Sequence, residues 1–110
     1  MHVTTGGNLS RFIQTVTYTT SRIDEVRQLA EQLRDKRMAS GDGGKPIQVS
    51  LCADRDQPNR YVTIAEFESY EDAMANSGHP DLQEFSQRMA ELVDGPPTFG
   101  NLDVVEQHRP

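Results

Sequence analysis

The stretch Arg60–Phe85 constrains the fold most, because a strand, a short helix and the start of a second helix follow one another without a long loop. Residues 61–68 place apolar side chains on both faces of a strand, which favours a position inside a sheet. Ser69 begins an S-x-x-D pattern, in which the serine hydroxyl accepts a hydrogen bond at a helix start. Gly78 interrupts that helix, and Pro80 suits the first turn of the next one. The stretch therefore predicts two consecutive helices that pack on one sheet.

The other segments supply further strands and one more helix. Residues 11–20 are rich in β-branched and aromatic types and predict a strand. Ser21 begins a second S-x-x-D pattern, followed by an amphipathic helix that ends near Ala39. Residues 46–54 predict a strand that forms a hairpin with 61–68, and residues 99–107 predict the last strand. The order is βαββαβ in an α+β domain. This is the ferredoxin-like arrangement, a four-stranded antiparallel sheet with helices on one face.

Such a sheet leaves its other face bare. Val62 and Ile64 would contribute apolar surface to that face, together with either Phe12 or Ile13. Only 35% of the residues are hydrophobic, which is low for a globular domain of this size. Both observations indicate that a second copy of the chain covers the bare face.

The charge balance argues against a nucleic-acid role. The net charge is −6, from 17 acidic residues against 11 Lys and Arg, whereas phosphate backbones require clustered positive charge. Arg34, Lys36 and Arg37 lie among acidic residues, and we interpret them as a solvated helix face. No segment is long and apolar enough for a bilayer span, so no membrane role is predicted.

The chain ends and the cysteine content complete the outline. Residues 1–10 are polar and predict a flexible arm, residues 11–107 form the single domain, and residues 108–110 form a tail. Cys52 is the only cysteine, so no internal disulfide forms and a cytoplasmic location is expected. Its place in a strand favours a packed or wall-lining thiol over a nucleophile.

The segment FESYEDAMANSGHPDLQEFSQRMAELVDGPPTFGNL resembles the second half of the dimeric α+β barrel proteins, which include the antibiotic biosynthesis monooxygenase group. The resemblance implies a homodimer in which two sheets close a barrel, with a pocket between sheet and helices in each subunit. Some members oxidise aromatic or quinol-like compounds without metal or flavin, others degrade heme, and others isomerise small lactones. This chain departs from catalytic members in having Asn76 where many carry His. The lack of Trp argues against heme degradation.

Four residues are pocket candidates: Glu66, Tyr70, Asn76 and His79. Glu66 could act as a general base, although a structural ion pair is favoured. Tyr70 could turn its hydroxyl toward a ligand or serve as a core residue. His79 could be a base or a ligand, although a solvent-facing position at the helix entry is favoured.

No catalytic motif, metal-ligand spacing or nucleotide fingerprint is present, so no metal and no cofactor is predicted and no catalytic residue is assigned. The sequence predicts a homodimer that binds a small apolar or aromatic molecule, as a cofactor-independent monooxygenase of aromatic or quinol-type compounds. The alternative is a non-catalytic dimeric binding or interaction module. The sequence leaves open whether the protein is an enzyme.

Overall fold

A computed structural model describes residues 11–41 and 43–109, and the arm predicted over residues 1–10 lies outside this described part. The described residues form four strands and three helices in the order predicted. They are β1 (Phe12–Thr19), α1 (Ile23–Ser40), β2 (Gln48–Ala53), β3 (Arg60–Phe67), α2 (Tyr70–Ser77), α3 (Pro80–Leu92) and β4 (Thr98–Asp103). The ferredoxin-like α+β prediction is therefore confirmed.

The four strands form one antiparallel sheet in the order β2-β3-β1-β4. β3 pairs with β1 on one side and with β2 on the other, which confirms its interior position and the hairpin. In the central pair, Phe12 lies opposite Phe67 and Tyr18 lies opposite Tyr61. Because paired residues share a face, this register decides which side chains meet the helices.

Phe12 and Phe67 identify the helix-covered face, since both pack against Ala73 of α2 in one buried cluster. Their strand neighbours Ile13 and Glu66, which pair with each other, project to the other side of the sheet. By the same register, that side also carries three further apolar residues, Val62, Ile64 and Leu102. We call this side the open face. Of the two residues that the sequence left as alternatives for it, Ile13 is the one that lies there.

The hydrophobic core of the single chain is small. Its buried apolar residues, within the described ranges, are Phe12, Tyr18, Val26, Phe67 and Ala73. α3 carries apolar residues at helical spacing, but none of its residues is fully buried. Leu82, Phe85 and Met89 are only half-buried. The helix layer therefore lies loosely on the sheet compared with a close-packed protein interior.

The start of α1 differs from the prediction. The N-cap residue is Arg22, and no side chain caps the helix, so the predicted cap at Ser21 is wrong. Instead, the fully buried hydroxyl of Thr20 accepts from the backbone N–H of Arg22 at 3.0 Å and donates to the carbonyl of Leu92 at 2.6 Å. A tertiary contact to the end of α3 thus takes the place of a local cap. At α2 the prediction is confirmed, because Ser69 Oγ accepts from Asp72 N at 3.1 Å.

Two strand predictions also need correction. β4 ends at Asp103 rather than at residue 107, although Val104 N still donates to Arg11 O at 3.0 Å. Cys52 pairs with Val62 on the open face and is exposed, so a packed position is wrong for the single chain. A wall-lining position requires a second subunit and stays a prediction. None of the helices in the described ranges is suited by length and hydrophobicity to cross a membrane.

Candidate functional site

The inner side of α2 joins an aromatic contact to a buried polar group. At its start, the Tyr70 ring meets Phe12 edge to face, with ring centroids 5.3 Å apart, while 52% of Tyr70 stays exposed. Ala73 follows and is fully buried. Asn76 comes one turn later and is 8% exposed. The two ends of this side are about 9 Å apart along the helix axis. Met74, on the same helix, is one of the exposed apolar residues.

The partner of Asn76 is Arg37, near the end of α1. Arg37 Nη2 donates to Asn76 Oδ1 at 3.2 Å and to the carbonyl of Gly43 at 3.2 Å. Arg37 is only 5% exposed, so its interpretation as part of a solvated face is wrong. The sequence carried a signal for this position, since Arg37 follows Val26 and Leu33 at helical spacing and so lies on the inward stripe of α1.

The Arg37 guanidinium has fewer partners than a buried cation normally has. No described carboxylate forms an ion pair with it. Within the described part of the chain its Nε and Nη1 atoms are shielded from solvent and make no hydrogen bond. Since arginine can only donate, Asn76 must turn its oxygen toward Arg37 and leave both amide hydrogens for another acceptor. Arg37 and Asn76 together therefore offer hydrogen-bond donors that a ligand acceptor could use.

Gly44 presses the loop that follows α1 against α2. Its φ is +79°, in the left-handed region. A Cβ placed there would lie 2.9 Å from the Ala75 Cβ, 3.0 Å from the Asp72 carbonyl oxygen and 3.1 Å from the Asn76 nitrogen. Only glycine fits this conformation and this close approach. The loop thereby places the Gly43 carbonyl on Arg37, so the Gly-rich segment contributes to the site through its backbone.

Glu66 lies apart from the other pocket candidates. Its carboxylate accepts from Arg11 Nη1 at 2.9 Å and from Gln107 Nε2 at 3.3 Å. It projects from the open face, whereas Tyr70 and Asn76 lie on the helix side of the sheet. A half-buried carboxylate paired with arginine fits the structural role that the sequence favoured.

His79 is the N-cap of α3, as its position before Pro80 suggested. Its Nδ1 accepts from Asp81 N at 3.1 Å, and its backbone N–H donates to Asn76 O at 3.1 Å. The side chain is 17% exposed, so the solvent-facing orientation is wrong. With Nδ1 accepting, the neutral ring carries its proton on Nε2. His79 thus adjoins Asn76 along the chain, and one of its nitrogens is occupied by the cap.

Elsewhere, the described residues form no better-defined site. No group of three or more His, Cys, Asp or Glu is arranged to hold a metal ion there. An open groove of about 420 Å³ runs between α1 and α3, with Gln28, Gln32 and Arg88 among its lining residues. Its lining also includes two acidic residues, Glu25 and Glu91, and two leucines, Leu29 and Leu92. The inner end of α2 therefore remains the candidate site.

Comparison with known proteins finds similar structures but no similar sequences. No protein-family model matches the chain, and no curated protein matches it. A conserved protein from Methanosarcina mazei superposes with a TM-score of 0.75 at 9% identity, over 88% of this chain and 95% of that one. A candidate antibiotic biosynthesis monooxygenase from Caulobacter crescentus gives 0.74 at 17% identity, over 89% and 92%.

A third structure is SnoaB from Streptomyces nogalater, a cofactor-independent oxygenase, with a TM-score of 0.73 at 17% identity over 92% of this chain and 98% of that one. The chain has the antibiotic biosynthesis monooxygenase-like fold. The resemblance seen in the sequence is thus confirmed. Sequence identities this low show a common fold only, and a common fold does not determine which reaction a protein catalyses.

Proposed function

We propose that the protein binds a small aromatic molecule at the inner end of α2 and oxidises it with molecular oxygen, without metal or flavin. The observation that carries the proposal is the buried side chain of Asn76. Its amide oxygen accepts a hydrogen bond from Arg37, which leaves its amide hydrogens for another acceptor. The Phe12–Tyr70 aromatic pair begins the same side of the helix. SnoaB, which has the same fold, is a cofactor-independent oxygenase.

The chemistry follows from the substrate class. A quinol-type or anthrone-type compound that loses a proton to solvent becomes an electron-rich anion, which can pass electrons to oxygen. A quinol then becomes the quinone, and its two electrons and two protons convert O₂ into hydrogen peroxide. For an anthrone, one oxygen atom becomes the new ring carbonyl and the other leaves as water with the two hydrogens of the CH₂ group. The role of the protein is to stabilise the anion, and the donors of Asn76 and Arg37 suit that role because negative charge develops on the ring oxygen.

An oxygen electrode with anthrone and 1,4-dihydroxynaphthalene as substrates tests the proposal. Asn76→Ala should lower the rate about 10- to 100-fold, because one hydrogen-bond donor to a developing oxyanion is lost. Asn101→Ala is the matched control, since Asn101 is an exposed asparagine on β4. No oxygen uptake above the spontaneous rate with a broad panel of quinols and anthrones would contradict the proposed reaction.

We also propose that the protein is a homodimer whose subunits meet through their open faces. Ile13, Val62 and Ile64 lie there, and Leu102 is 50% exposed in the single chain. An apolar surface of this kind favours a protein partner. Sedimentation at micromolar concentration should give the mass of two chains. Ile64→Asp should give one, and Arg27→Asp, on the exposed side of α1, should still give two. A wild-type monomer would contradict this assembly.

The second candidate function is a non-catalytic binding module with the same site. It is favoured by the lack of Trp and by Asn76, an amide that cannot exchange a proton, at the position where many catalytic members resembling this chain carry His. Binding of an aromatic ligand without oxygen uptake, with both measured on one preparation, would favour this candidate over the oxygenase.

A further inference from the structure

We infer that Arg37 and Asn76 bind the negatively charged group of a ligand, and that a small aromatic carboxylate binds there with its carboxylate in the place of the ring oxyanion of the proposed substrate. The inference takes its location from the proposed ligand site, and it does not require oxidation. It begins from the guanidinium, which is 5% exposed and has no carboxylate partner in residues 11–41 and 43–109. A buried charge of this kind is strongly disfavoured unless an opposite charge joins it.

The donor inventory specifies an anion rather than a neutral polar group. Arg37 uses Nη2 for two neutral acceptors, and its Nε and Nη1 atoms have no hydrogen-bond partner in the part of the chain that the structure describes. Asn76 adds its amide N–H groups, because its oxygen is taken by Arg37. A neutral alcohol or amide could accept one of these hydrogen bonds but would leave the positive charge uncompensated. An ionised oxygen fulfils both requirements, and its hydrogen bonds are shorter and stronger than neutral ones.

The number of charges at the site favours a monoanion. The Arg37 guanidinium has no carboxylate partner among the described residues. The chain as a whole carries a net charge of −6, so a phosphate dianion would be repelled without a second local cation. The hydrophobic part of the ligand follows from the same side of α2, where Phe12 and Tyr70 meet edge to face. Tyr70 is 52% exposed, so its ring offers accessible aromatic surface on that side of α2.

Isothermal titration of the full chain with benzoate and 1-naphthoate under nitrogen tests the inference, with benzamide as the neutral analogue and inorganic phosphate as the aromatic-free anion. We expect a carboxylate to bind at least tenfold more tightly than benzamide or phosphate. Arg37→Met should weaken that binding at least tenfold. Arg34→Met should leave it unchanged, since Arg34 is an exposed arginine one turn earlier on the same helix.

Asn76→Asp is a second variant with an opposite structural consequence. It places a carboxylate where Arg37 Nη2 already donates at 3.2 Å, so it should raise the melting temperature and abolish carboxylate binding together. The inference is overturned if neither carboxylate binds the wild type at millimolar concentration, if benzamide or phosphate binds equally well, or if Arg37→Met retains the wild-type affinity. These titrations involve no turnover, so they separate failure of this inference from failure of the oxygenase reaction, which the oxygen electrode measures alone.

Discussion

Thr20 offers the sharpest test of how the helices are attached to the sheet. Its hydroxyl is fully buried, donates to Leu92 O at 2.6 Å and accepts from Arg22 N at 3.0 Å. Thr20→Val keeps the shape of the side chain and removes the hydroxyl, so one carbonyl at the end of α3 and one amide at the start of α1 both lose a partner. Both hydrogen bonds are partly buried, and each unsatisfied group in such a place costs about 1–2 kcal/mol, so the free energy of unfolding should fall by about 2–4 kcal/mol.

Urea and thermal unfolding followed by circular dichroism measure this loss. In a domain of this size it corresponds to a melting temperature lower by about 10–20 °C. Thr19→Val is the matched control, because Thr19 is the exposed neighbour of Thr20 and should change stability by less than about 0.5 kcal/mol. All variants are compared at one protein concentration, since dimerisation would couple stability to concentration. Equal stability of the two valine variants would refute the role given to Thr20.

Three further predictions concern glycine, cap and tyrosine positions. Gly44→Ala should cost about 2–4 kcal/mol in urea unfolding, because a left-handed φ adds to a 2.9 Å clash; Gly41→Ala, with a similar φ and open space, should cost only about 1 kcal/mol, and equal losses would contradict this. Ser69→Ala should cost about 1 kcal/mol and Ser21→Ala almost nothing; the reverse order would mean that the caps are misassigned. Burial raises the pKa of Tyr18 above its ordinary value of 10.0. The folded state therefore holds this proton more tightly, and its contribution to stability is full below pH 10 and is lost as the pH rises through the folded pKa. Tyr18→Phe should flatten that alkaline loss in pH-dependent unfolding, and an unchanged slope would exclude Tyr18 as its source.

The sequence predicted those features that neighbouring residues determine. Ser69 caps α2 and Pro80 begins α3 because the groups concerned lie within a few residues of one another. Ser21 carries the same S-x-x-D pattern as Ser69 and caps nothing. The hydroxyl of Thr20 is bonded there instead, and its second partner, Leu92, is distant in sequence. A local pattern does not identify such a contact.

The site was harder to predict than the fold, because burial of a charged residue contradicts its usual behaviour. Arg37 lies next to exposed charged residues in the sequence, and only its helical spacing from Val26 and Leu33 indicates an inward position. The resemblance of its segment to known proteins indicates Asn76 as a pocket candidate. It does not indicate Arg37 as the hydrogen-bond partner of Asn76. Glu66 was predicted to share a pocket with Asn76, which is wrong. Side chains along a strand alternate between its two faces, and the register places Glu66 on the side of the sheet away from Asn76.

The single chain leaves two features unsatisfied, and they lie on opposite sides of one sheet. Ile13, Val62 and Ile64 form an apolar surface on the open face. Arg37 lies on the helix side, where no carboxylate of residues 11–41 and 43–109 pairs with it. A second subunit packed on the open face can cover the first, but it lies across the sheet from the second. Dimerisation therefore cannot compensate the charge of Arg37. If Ile64→Asp separates the subunits and carboxylate binding per chain persists, the two features are independent, and the ligand site belongs to each subunit alone.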